Sequence, residues 1–227
     1  MILVTGDTHG IIGLEKIRFA CKTHKLSKRD YVIIAGDFGC IWDEKSLNSN
    51  LIQLSLVPCN ILFVDGNHEN YDLLNSFPLK KWNGGYVHHI TKNVIHLTRG
   101  QIFNIEGKKL LSLGGAESSD KHLRIRNLSW WKQESITQQN IQEALSNLEN
   151  FDYTIDYVIS HTCPVKYCTK NLCKDNVNKE VGQSEYFLDI IENNCQYKSW
   201  LFGHWHKDIN IIQNKVVCLY QNFIKLE

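Results

Sequence analysis

Residues 1–10 read MILVTGDTHG, and two later stretches repeat the form, YVIIAGD at 31–37 and NILFVDGN at 60–67. Each is a short run rich in Ile, Val and Leu that stops at a Gly beside Asp or Asn. Uninterrupted apolar runs of this length suit strands covered on both faces, as in parallel sheets. Between the first two lies GLEKIRFACKTHKL (13–26), with Leu14, Ile17, Phe19, Cys21 and Leu26 at roughly helical spacing. Between the second and third, EKSLNSNLIQLSL (44–56) reads as another helix. Strand, helix, strand, helix, strand predicts right-handed parallel crossovers and an α/β fold.

The middle of the chain changes character. VIHLTRGQIFNIEGKKLLSLGGA (94–116) alternates short β-prone runs with Gly turns, and Glu106-Gly107 predicts a hairpin tip. The polar, irregular stretch ESSDKHLRIRNLSWWKQE (117–134) follows. SITQQNIQEALSNLENF then predicts a helix beginning with Ser135 and carrying Ile141, Leu145 and Leu148 on one face. YVIS (157–160) and WLFG (200–203) predict two further strands with a helix around Tyr186 to Ile191 between them, and the tail a hairpin about Asn214 and Lys215. No repeat, low-complexity tract or Pro-rich linker divides the chain. Residues 1–227 are therefore expected to form a single domain with an inserted loop at about 114–134.

Of 227 residues, 43% are hydrophobic and 22% charged, which allows a substantial core. A net charge of +1 offers no electrostatic case for nucleic acid or a membrane surface, and no apolar run is long enough to span a bilayer. Asp7 and His9 interrupt any signal-peptide core, so the reading is a cytoplasmic protein whose eight cysteines are reduced. Cys163, Cys168 and Cys173 are evenly spaced but form no C-x-x-C pair, which argues against a structural zinc.

The strand ends carry the chemistry. They deliver Asp7 and His9, then Asp37, then Asn67 and His68, later His161, and finally His204 and His206. Turn propensity accounts for Gly and Asp at one such end. It does not account for three late histidines, each at the end of an apolar run. A two-metal centre needs this set, because one carboxylate can bridge two cations roughly 3.5–4 Å apart while imidazoles and an amide oxygen complete the shells.

GDTHG, GDFG, GNHE, SHTCP and GHWH, in this order from residue 6 to 206, resemble the signature of the calcineurin-like metallophosphoesterase superfamily. The resemblance implies a two-sheet β-sandwich flanked by helices, a four-layer αββα arrangement. It implies Asp7, His9 and His206 on one metal, Asn67, His161 and His204 on the other, and Asp37 bridging. His68 is then a non-ligand that stabilises or protonates the leaving oxygen, with Glu69 fixing its loop. The implied activity is hydrolysis of a phosphate mono- or diester by a metal-bridging hydroxide. The cofactors are two divalent or mixed-valence ions, with Mn, Fe, Zn, Ni or Co all suited to mixed N and O donors. A nuclease of the same superfamily and a catalytically inactive metal-binding scaffold are the alternatives. The G-D-x-x-D-R-G pattern of protein-phosphatase relatives is absent, and Phe38 stands where purple acid phosphatases place a Tyr ligand.

The expected partner is a small phosphorylated substrate. Lys121, Arg124 and Arg126 are candidates to clamp its phosphate, Arg124 and Arg126 foremost, against ordinary surface charges. Trp130 and Trp131 either stack on a base or sugar or pack the loop onto the domain. Asp65 is either a turn residue or a support for the site. His24, His88, His89 and His96 are expected to be solvent-facing or hydrogen-bonded.

Overall fold

Alternation along the first strands decides the layering. In the computed structural model, which describes residues 1–172 and 181–227, β1 (Ile2–Thr5), β2 (Tyr31–Ala35) and β3 (Asn60–Val64) run parallel, with Ile2 beside Tyr31 and Tyr31 beside Asn60. The crossovers are α1 (Leu14–Thr23) and α2 (Glu44–Ser55), the latter capped by the Asp43 carboxylate on the Ser46 N–H. The chain continues through α3 (Tyr71–Ser76), β4 (Leu79–Trp82), β5 (Gly85–His89), β6 (Val94–Leu97), β7 (Ile102–Ile105) and β8 (Lys108–Leu113). Then come α4 (Gln138–Glu149), β9 (Thr154–Ser160), α5 (Val165–Asn171), α6 (Gln183–Asn194), β10 (Gln196–Phe202), β11 (Ile209–Ile212), β12 (Val216–Cys218) and β13 (Ile224–Lys225).

Two mixed sheets result, ordered β13-β1-β2-β3-β6-β5-β4 and β11-β12-β10-β9-β8-β7. Leu3, Val32, Ile34, Ile61 and Phe63 face outward against Leu14, Ile17 and Leu54 of the first two helices. Their neighbours Ile2, Val4, Ile33, Leu62 and Val64 face inward and meet Phe103, Leu110, Ile159 and Leu201 of the second sheet. The outer face of that sheet, including Leu111, Val158 and Trp200, is covered by Ile141, Leu148, Leu188 and Ile191 of α4 and α6. The layers are therefore helix, sheet, sheet, helix. Each fully buried Leu, Ile or Phe contributes about 1.5–3 kcal/mol to holding them together.

Some elements differ from the sequence reading. Phe19 is 70% exposed on α1, because the buried face follows Leu14, Ile17 and Cys21 and a residue two positions beyond Ile17 lies on the other side. The fourth helix begins at the Thr137 cap, not at Ser135: the Thr137 side chain accepts from the Asn140 N–H and Asn140 reaches back. Hairpin tips at Glu106-Gly107 and Asn214 are present, with positive φ at all three residues. Cys163 and Cys168 are buried with sulfurs 3.5 Å apart, while Cys173 lies outside the described residues. Among the described residues no helix is long and apolar enough to cross a membrane.

Candidate metal centre

Parallel pairing sends the C-terminal ends of β1, β2 and β3 to one rim of the first sheet and those of β9 and β10 to one rim of the second, and contacts of His161 with Ala35 and of His204 with Asp7 bring the two rims together, where open α/β sheets bind ligands. Backbone bonds then fasten the loops to one another. The Thr8 and His9 amides both donate to the Asp37 carbonyl, at 3.0 and 2.9 Å. The Gly203 amide donates to the His161 carbonyl at 2.8 Å. His9, Asp37, His204 and His206 all hold left-handed φ, from 49 to 67°. A non-Gly residue there costs about 1–3 kcal/mol and persists where surrounding contacts over-determine it, as at binding sites.

Two groups of side chains gather at the rim. In the first, Asp7, His9, Asp37 and His206 each offer a donor atom, all within 4.8 Å of one another. His9 Nε2 and His206 Nε2 are 2.8 Å apart, and His206 Nε2 lies 3.0 Å from Asp7 Oδ2. In the second, His161 Nε2 lies 3.1 Å from both Asp37 Oδ1 and Asn67 Oδ1, with the His204 ring 4.9 Å away edge-on. Asp37 belongs to both groups, since its other oxygen lies 3.8 Å from His9 Nδ1. All seven ligands that the sequence resemblance implied are thus brought into one neighbourhood.

The cluster fits a cation on its own chemistry. Asp7 Oδ2 is buried and accepts no well-formed hydrogen bond, its neighbours being His206 Nε2 at 3.0 Å and His9 Nε2 at 3.7 Å, an expensive state for a carboxylate oxygen unless positive charge reaches it. Two imidazole nitrogens converge on the same spot. Supporting bonds aim the candidate ligands: His204 N–H donates to Asp7 Oδ1 at 2.9 Å, and His68 N–H to Asp37 Oδ1 at 2.8 Å. His161 Nδ1 contacts the Ala35 carbonyl at 2.9 Å, which leaves Nε2 for the cluster. Asn67 donates its amide to Ser118 at 3.3 Å and turns its oxygen inward. Gly66 and Gly203 permit the close approach, since a Cβ at either would stand 2.1 Å from an Asp37 or Asp7 carboxylate oxygen.

The same contacts set the charges of the cluster. Burial opposes ionisation of Asp37, but His161, His68 and His9 outweigh it and hold the carboxyl below the ordinary range. Burial likewise opposes a charge on His161, yet the Asp37 carboxylate and its hydrogen bond raise the imidazole to about 9. Glu69 is pushed well up by burial and by Asp37, while its oxygens accept from the Phe38 and Gly39 amides and brace the Asp37 loop.

His68 sits beside the cluster, its ring 5.0 Å from His9. Burial lowers its pKa, Asp37 resists, and Arg124 lowers it further. The loop of residues 117–134 supplies that arginine: Arg124 Nη2 lies 3.3 Å from His68 Nε2, while its Nε holds Asp120 at 2.8 Å. Arg126 is exposed, and its backbone bridges to Trp130. Trp131 packs: it is 1% exposed, donates to Asp72 at 2.8 Å and meets Trp42 edge-on at 5.6 Å.

Sequence reasoning missed Trp42, Ser118 and Arg99. Arg99 is the base of the loop. It pairs with Asp65, donates to Tyr71, and reaches the carbonyls of Gln133, Glu134 and Ser135. The Gly115 amide bonds the Asp65 carbonyl at 2.8 Å, so both ends of the loop are tied to the strand end that delivers Asn67 and His68. His96 holds the other Asp65 oxygen at 3.0 Å and contacts His88, also at 3.0 Å. Removing one partner of a buried ion pair costs about 3–5 kcal/mol. Arg99→Ala should therefore lower the melting temperature by on the order of 10 °C, read by thermal denaturation. A shift within error of wild type would show that the pair does not anchor the loop.

The family described as calcineurin-like phosphoesterase matches residues 1–208. No curated protein matches the chain. Among solved structures, a phosphopantetheinyl hydrolase from Mycobacterium tuberculosis is similar at 13% identity, with a TM-score of 0.49 over 96% of this chain and 87% of that one.

Proposed function

The chain belongs to the calcineurin-like phosphoesterase family, and from that premise we propose that it hydrolyses phosphate esters at a dinuclear centre. Asp7, His9 and His206 would hold one ion, Asn67, His161 and His204 the other, with Asp37 shared. The observation that carries this reading is Asp37 itself, one oxygen beside His161 and the other toward His9. Bound cations would supply Lewis acidity, activating a water and neutralising charge on the phosphoryl oxygens.

The chain's own groups do the rest. Asp7 and Asp37 supply the anionic charge that holds cations, and the imidazoles and the Asn67 amide add donors without cancelling the remaining positive charge. His68 Nε2 accepts from Arg124 Nη2 at 3.3 Å, so a phosphoryl oxygen that reached the pair would take over the Arg124 hydrogen bond and free Nε2 to carry a proton. Negative charge there favours a protonated His68, which passes its Nε2 proton to the departing ester oxygen. The Asp120 carboxylate and the Ser129 carbonyl hold the Arg124 side chain in place for that encounter.

Release of p-nitrophenolate from aryl phosphate esters, with several added divalent metals, tests the proposal. Turnover that needs metal supports it, and inertness with every metal removes it. Within this reading, Arg124→Ala should cost about 1.5–3 kcal/mol of charge-assisted contact, a ten- to hundred-fold loss in kcat/KM. Metal content should hold. The same change at exposed Arg126 should cost less, and equal losses at both positions would contradict a placed clamp.

A further inference from the structure

Two clefts border the metal cluster, and they share no lining residue. One, of about 310 Å³, is reached at His9 and His68 and includes Trp42, Ser46 and Asn50. The other, of about 470 Å³, is reached at His204 and Ser118 and is walled by Ser119, Lys121, Gln183 and Glu185. The first adjoins one group of donors, through His9. The second adjoins the other, through His204 and through Ser118, which holds Asn67.

A phosphate monoester carries one organic substituent and can fill one of these clefts. A diester carries two. Resting on the phosphoesterase reading above, we infer that the substrate is a phosphodiester, with its leaving alcohol in the Trp42 cleft and its retained substituent in the Lys121 cleft.

Assignment of the ends follows from His68. The leaving oxygen must lie within reach of its proton donor, so the departing group occupies the cleft that His68 lines. Trp42 offers that group an apolar face: its ring lies 6.4 Å from His68, tilted by 33°, and Trp131 backs it edge-on. The second cleft is polar. Glu117 is engaged by the amide and hydroxyl of Ser184, and Glu185 by Thr162 and Gly182. Those bonds hold the wall in shape while Ser119, Lys121 and Gln183 line the same space. A hydroxylated substituent suits such a lining better than an alkyl chain.

The reaction balances as a hydrolysis. Water oxygen bonds to phosphorus as the bond from phosphorus to the leaving oxygen breaks. That oxygen takes the proton from His68 Nε2, and His68 is reprotonated at the expense of the water. The products are an alcohol and a phosphate monoester that still bears the retained group.

The test uses the full chain with added manganese and two esters that share a leaving group, p-nitrophenyl phosphate and p-nitrophenyl thymidylate. The second adds a retained nucleoside. Its kcat/KM should be higher by about ten-fold or more, the value of one good polar contact. Ser119→Ala and Gln183→Ala, which line the same cleft, should each lower kcat/KM for the diester and leave the monoester unchanged. Trp42→Ala should lower both, because both place the aryl group in its cleft. Monoester turnover equal to or above the diester, or equal losses on both esters in the Lys121-cleft variants, overturns the diester assignment and leaves the phosphoesterase reading standing. No turnover of either ester, with manganese or with any other added divalent metal, removes both.

Discussion

Replacing Asp37 by Asn is expected to abolish dinuclear metal binding and to lower turnover by several powers of ten. Asp37 is the one carboxylate placed against both donor groups. Its Oδ1 accepts the His68 amide at 2.8 Å, so an Asn carbonyl would take that position and leave the NH₂ where Oδ2 faces His9. An NH₂ donates hydrogen bonds and does not ligate a cation. The same change removes one negative charge from a buried site, and Asp7 alone would then balance the cations. Fold should be retained, because the Thr8 and His9 amides bond the residue 37 backbone, which is unchanged. Elemental analysis and turnover of this variant read both effects. Two metals per chain with near-normal rate would contradict the bridging role.

The second large effect is expected at His68. General acid–base assistance contributes about 10²–10⁴-fold, so His68→Ala should lower kcat by that order with metal content unchanged. His68 contacts the cluster through its backbone amide, which alanine keeps. The loss should shrink for a good leaving group such as p-nitrophenolate and grow for an alkoxide, which needs its proton. Equal losses across leaving groups would assign His68 to electrostatic stabilisation instead, and loss of metal would make it a ligand.

Much of this site was legible because its donors sit within a few residues of strand ends. Asp7, Asp37 and Asn67 follow runs whose apolar character dictates parallel strands, and parallel strands send their ends to one rim. The order of short motifs then carried the family. What was not legible depends on contacts distant in the chain. Arg99 looked like one more charge after a β-prone run, and only folding brings it to Asp65 and to three carbonyls beyond residue 132. Trp42 lies in a connection with no periodic signal, while the more conspicuous Trp131 is committed to packing and to Asp72. Of the two arginines singled out, only one is brought to the site, which their spacing in the sequence does not decide. Arg124 reaches His68, and two residues on, Arg126 is exposed. Phe19 was misplaced for a related reason, since loose helical spacing does not fix which side of α1 a residue takes.

Asp7, His9, Asp37, Asn67, His161, His204 and His206 would together hold a pair of metals. Metal stoichiometry measured together with turnover of an aryl phosphate ester, before and after chelation, tests this most directly. Two ions per chain are expected, with loss of both and of activity on chelation, and recovery of both when metal returns. Full turnover by a chain holding one ion or none would contradict it.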